Sequence, residues 1–109
     1  MQYKDFMPAA RREQVFRLDD FTDQAISARL KAARLVAGYA KQTDFAAALG
    51  IPYKTYHAQE KKGHPAVSTV RFLHKNHRID FNFVYNGEFA QLPVDVRDAL
   101  EAALSDETP

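Results

Sequence analysis

The chain has no cysteine, no tryptophan, and only four glycines and five prolines in 109 residues. Without cysteine there is neither a disulfide nor a zinc–thiolate site, so the core alone must hold the fold. No apolar run comes near the roughly 18 residues that a membrane span requires. The opening residues, MQYKDFMPAARREQ, hold no apolar core of a signal peptide. No long stretch alternates apolar and polar residues, which leaves no candidate strand. Internal repeats and low-complexity linkers are missing too. A hydrophobic content of 46% is enough for the core of one domain. These features together predict a cytoplasmic, all-α domain with no membrane association.

Acidic residues are scarce in one part of the chain. Residues 26–78 carry ten Lys and Arg against Asp44 and Glu60 alone, a net charge of +8. Residues 1–25 carry −1 and residues 79–109 carry −6, and all four histidines fall in the basic middle. Such a block is a candidate footprint for a polyanion. The competing reading is a solvated basic surface neutralised by the chain's own acidic end.

Periodicity predicts five or six short helices. Residues 1–24 read as an extension or arm, with Pro8 opening a short candidate helix over 9–17 and Arg11 and Arg12 available to reach a minor groove. Thr22 or Asp23 caps the next helix, over 25–37, where Ile26, Leu30, Ala33 and Ala37 recur at helical spacing. A second helix over 42–49 turns Phe45, Ala46 and Leu49 inward and ends at Gly50. Pro52 opens a third, which stops at Gly63. A fourth covers 67–77. Asp80 caps a short apolar helix, FNFVYN, that ends at Gly87. A last helix, over 94–104, aligns Val96, Leu100, Ala103 and Leu104, and the remainder frays. The domain boundaries are therefore 1–24, 25–90 and 91–109, the last being an acidic helix and a candidate dimerisation element.

The stretch TDFAAALGIPYKTYHAQE, residues 43–60, carries the most information. Two helices that cross steeply need small residues between them, which Ala46, Ala47 and Ala48 supply. Gly50 permits the turn and Ile51 plugs its corner. Tyr56 is the buried member of the following helix, and Tyr53, Lys54, His57 and Ala58 face outward.

With these elements, ARLKAARLVAGYAKQTDFAAALGIPYKTYHAQEKKGHP followed by IDFNFVYNGE resembles the Xre/Cro-like helix-turn-helix family, to which the DNA-binding domains of phage repressors belong. The likeness covers about residues 26–88. It implies a compact lambda repressor-like fold of five to six helices that binds double-stranded DNA as a homodimer, the third predicted helix entering the major groove of a palindromic operator. It further implies base contacts from Tyr53, Lys54 and Ala58, and backbone contacts from Gln42, Thr55, His57, Lys61, Lys62 and His64. Arg34 and Glu60 match an internal ion pair. Phe83, Tyr85, Phe89, Val96 and Leu100 are the expected dimer contacts. The chain departs from the family pattern: Lys41 occupies a position usually held by a Ser or Thr cap, Arg78 one usually held by Gly, and His77 one usually held by Leu. Tyr53 is aromatic where short polar side chains are common, so no base code transfers.

No Ser/His/Asp spacing, Gly-rich phosphate loop or apolar carboxylate pair suggests an enzyme. His74, His77 and His64 lack a completing Cys or acid, so no metal and no cofactor is expected. The expectation is thus a transcriptional regulator at the nucleoid, most simply a repressor. The alternative is a protein-interaction module, antitoxin-like or regulator-binding, that docks a partner through its C-terminal helix.

Overall fold

The most enclosed helix is α2, Asp23–Val36. Thr22 starts it, its hydroxyl accepting a hydrogen bond from the Ala25 N–H. The Ile26–Leu30–Ala33 stripe is buried, as the spacing predicts, but so are Ala25, Arg29 and Ala32 on the neighbouring face. The reason is that other elements cover α2 on several sides. In the computed structural model, which describes residues 9–107, these elements are α1 (Ala9–Phe16), α3 (Gln42–Leu49), α4 (Tyr53–Lys62), α5 (Val67–His77), α6 (Phe81–Asn86) and α7 (Val94–Glu107). Among the described residues there is no strand, and no helix is long and apolar enough to cross a membrane. Helix α2 packs against α4, α6 and α7; α3 packs on α4, and α1 on α7.

Two aromatic groups fill the interior. In one, Phe45 of α3 meets Tyr56 of α4 edge-on at 4.9 Å between ring centroids, with Tyr39 and Phe72 beside it. In the other, Phe16 of α1 lies 4.9 Å from Phe89 and 5.8 Å from Phe83 of α6. Edge and offset contacts of this kind add to the burial of the rings.

Residues 9–24 therefore contribute to the core, and α1 packs on α7 rather than standing apart as an arm. Val15 and Phe16 are fully buried, and Arg12 pairs with Glu101 of α7 at 2.6 Å. The first eight residues of the expected arm, and the last two of the expected frayed tail, lie outside the described residues. A second correction concerns the dimer contacts. Phe83, Val96 and Leu100 are 0%, 5% and 0% exposed, because α6 and α7 fold back on α2 and spend their apolar faces within the chain. Tyr85 and Phe89 are only half-buried. A third concerns the alanines: Ala46 is buried at the α3–α4 contact, whereas Ala47 and Ala48 face solvent, since a helix of this length turns only one stripe to its neighbour.

Arg29 ties these parts together. Its guanidinium is fully buried and pairs with no carboxylate among the described residues. Instead, all five of its N–H groups reach backbone carbonyls: Nε to Val84, Nη1 to Phe16 and Arg17, and Nη2 to Asp20 and Tyr85, at 2.7–3.2 Å. Four of these carbonyls lie at the C-terminal ends of α1 and α6, where the helix dipole is negative. Burial lowers the guanidinium pKa to about 10, so the group stays charged at neutral pH. The close approach of α1 to the end of α6 also demands Gly87. With φ of +73°, any Cβ there would stand 2.6 Å from the Phe16 carbonyl oxygen.

Two outcomes follow for stability. Arg29→Met removes the guanidinium donor from five enclosed or partly enclosed carbonyls, of which Arg17 alone keeps a second donor, the Asp20 N–H, and lowers the unfolding free energy in urea by at least about 3 kcal/mol. Arg78, which closes α5 at φ +61°, carries left-handed strain and an exposed pair with Asp95 at 2.6 Å. Arg78→Gly and Arg78→Ala both lose the pair, but only glycine relieves the backbone. Arg78→Gly is therefore the more stable of the two by about 1 kcal/mol in the same assay.

Candidate nucleic-acid interface

Helices α3 and α4 are joined by the short segment Gly50–Ile51–Pro52, and their contact is built on Phe45, Ala46 and Tyr56. Beneath it lies the Glu60 carboxylate, 6% exposed. Arg34 Nε donates to Glu60 Oε1 at 2.8 Å, so the two residues expected as an ion pair are in contact. The Tyr56 hydroxyl donates to the same oxygen at 2.7 Å, and Gln42 Nε2 to Oε2 at 2.5 Å. Arg34 also spans to the carbonyls of Tyr39 and Ala40, which fixes the approach to α3. One carboxylate thus sets the positions of α2, α3 and α4 relative to one another. Burial opposes its ionisation, but the hydrogen bonds from Arg34 and Tyr56 and the Arg34 charge outweigh this and hold the carboxyl below its usual range.

The outer side of the pair is polar and open. Tyr53 is 45% exposed, and Lys54, Thr55, Lys61, Lys62 and His64 are exposed as well; Gln42, His57 and Ala58 are half-buried. Most of the residues expected to meet DNA thus lie on α4 or just beyond its end, with Gln42 next to them at the start of α3. The side chain of Gln42 is engaged at home: besides donating to Glu60, its Oε1 lies 2.8 Å from His57 Nδ1. Its remaining amide proton and the backbone N–H groups at the helix start are what it can offer outward.

Those backbone groups are uncapped. Lys41 before α3, Pro52 before α4 and Ala66 before α5 make no side-chain cap, whereas Thr22 and Asp80 cap α2 and α6. The starts of α3 and α4 therefore leave backbone N–H groups without a side-chain cap at their positive dipole ends, while at α5 Gln59 takes the Ala66 N–H. Asp44, exposed in the first turn of α3, is the one acid beside them.

The lysines around this face are not neutralised by the acidic end of the chain. Lys41, Lys54, Lys61, Lys62, Arg71 and Lys75 form no ion pair among the described residues. Three acids of α7 meet other bases: Glu101 takes Arg12, Asp95 takes Arg78, and Asp98 takes Arg97. His64 lies 3.2 Å from Asp23, both well exposed. No family model, curated protein or solved structure matches this chain.

Two residues that matter here gave no signal in the sequence. Gln59 accepts from the Ala66 N–H at 2.9 Å and from the Thr69 hydroxyl at 2.8 Å, so α4 holds the start of α5 in place. Ser27 donates to the Glu60 carbonyl, joining α2 to the end of α4. Neither lies in a recognisable motif.

The buried pair makes stability depend on pH. A carboxyl whose folded pKa is depressed contributes stability above its unfolded value of 4.5, and that contribution is lost as pH falls through the folded value. Glu60→Gln leaves the Arg34 charge uncompensated and lowers the unfolding free energy at pH 7 by about 3–5 kcal/mol. The loss of stability on acidification below about pH 4.5 is correspondingly shallower in the variant than in the native chain. Chemical melts at a series of pH values check both.

Proposed function

We propose that the protein is a sequence-specific DNA-binding regulator of the Xre/Cro-like helix-turn-helix kind, most simply a repressor. The observation that carries this reading is the outward start of α4, with Tyr53 and Lys54 exposed directly above a buried Tyr56–Glu60 pair. In the proposed complex α4 enters the major groove and the start of α3 abuts the backbone. Lys54 can donate to guanine O6 and N7, Tyr53 can meet a thymine methyl or a phosphate, and Ala58 offers only a methyl contact. The uncapped N–H groups of α3 and α4 suit phosphate oxygens, and the unpaired lysines supply the charge that makes such binding favourable.

A homodimer reading two half-sites about 34 Å apart completes the proposal. Its seam cannot use the core residues Phe83, Val96 and Leu100. The half-buried rings of Phe81 and Tyr85, stacked at 6.3 Å, remain as contacts, with exposed Val67 two residues beyond the Pro65 carbonyl to which Tyr85 donates.

Duplex binding measured at two salt concentrations tests the reading. Affinity falls steeply between 50 and 200 mM salt if phosphate contacts dominate, by about 10³-fold or more for a protein that makes six such contacts. Lys54→Ala relaxes base preference, costing about 1–3 kcal/mol at one position, whereas Lys62→Ala weakens all sequences alike and reduces the salt slope. Salt-insensitive binding contradicts the proposal.

A further inference from the structure

The half-buried imidazole of His57 sits on the outward face of α4, tilted against the Tyr53 ring at 5.5 Å. Its Nδ1 is 2.8 Å from Gln42 Oε1. Its other nitrogen, Nε2, makes no hydrogen bond among the described residues and is not sealed from solvent. Which nitrogen carries the proton decides what Nε2 can recognise.

The buried network fixes that proton. Glu60 pairs with Arg34, and an ionised carboxylate can only accept hydrogen bonds. The Gln42 amide atom that meets Glu60 Oε2 at 2.5 Å must therefore be the nitrogen. The amide oxygen is then the atom that faces His57, and an amide oxygen can only accept. His57 must donate to it from Nδ1. In the neutral ring this leaves Nε2 as a bare acceptor directed away from the network.

We infer that His57 is a specificity-determining residue, and Gln42 the residue that positions its proton: the chain Glu60–Gln42–His57 sets an acceptor on the reading face of α4, which selects a base pair turning an amino group, cytosine N4 or adenine N6, towards it. This rests on the DNA-binding reading above and alters one part of it, since His57 then reads a base edge instead of the backbone. Guanine O6 and thymine O4 are acceptors and are rejected at that position. The Tyr53 ring tilted against it and the Gln42 contact limit the ring's swing, so the acceptor keeps one direction.

Two measurements on the full chain test this. Nitrogen-15 NMR of the imidazole ring in the DNA-free protein reports the tautomer directly. The expected neutral form is Nδ1–H, which changes to the Nε2–H form in Gln42→Leu; an Nε2–H form in the native protein overturns the inference whether or not the protein binds DNA. Selection from a random duplex pool, with the native chain and with His57→Phe, reads the second part. The expected result is a cytosine or adenine favoured at one position by about 5-fold to 100-fold, with that preference lost in His57→Phe. Unchanged preferences in the variant overturn the base-reading role. A native chain that selects no sequence while holding the Nδ1–H tautomer contradicts the DNA-binding reading, and the base-reading role falls with it.

Discussion

The Glu60 carboxylate is the point on which the geometry of the basic face turns. It is removed from water and receives Arg34 from α2, Gln42 from α3 and Tyr56 from its own helix. A buried charge is costly unless every oxygen lone pair is used, and here hydrogen bonds from three residues use them. Because the donors come from different helices, the requirement to satisfy one group becomes a requirement that three helices hold one arrangement. That arrangement buries Tyr56 and leaves Tyr53 and Lys54 outside.

Arg29 does for the other half of the chain what Glu60 does for this half. It is a cation satisfied by carbonyls, drawing the ends of α1 and α6 onto α2. Arg29 and Arg34, the partner of Glu60, are five residues apart on one helix, so α2 is both the hydrophobic centre and the polar spine. The acidic α7 packs along α2 and finds its ion pairs in Arg12 and Arg78. It leaves Lys41 before α3 and the lysines of α4 and α5 without an ion pair among the described residues.

Much of the fold was legible because local signals were strong. Thr22 and Asp80 announce the starts of α2 and α6, Gly63 and Gly87 the ends of α4 and α6, and the Val96–Leu100–Leu104 spacing gives the inner face of α7. What was hidden depends on contacts distant in sequence. Arg29 reads as an ordinary member of a polar stripe, and only the return of α1 and α6 makes its face an interior one. Phe83, Val96 and Leu100 are apolar and regularly spaced, which is equally true of a core and of an interface; a chain that must enclose α2 on several sides spends them on itself. Ala47 and Ala48 look like packing residues by size, but the length of α3 gives it one buried stripe. Within the candidate site, outward exposure of Tyr53 and Lys54 follows from helical spacing around Tyr56. The Gln42–His57 contact follows only from where Glu60 sits.

Amide chemical-shift mapping of the nitrogen-15-labelled full chain, during titration with duplex DNA, addresses the outward role of α4 most directly. The account predicts that shifts concentrate at the start of α3 around Gln42, at Tyr53 and Lys54, and at Lys61, Lys62 and His64, while α7 is unmoved. Shifts centred on α7, or none at all at low salt, contradict it.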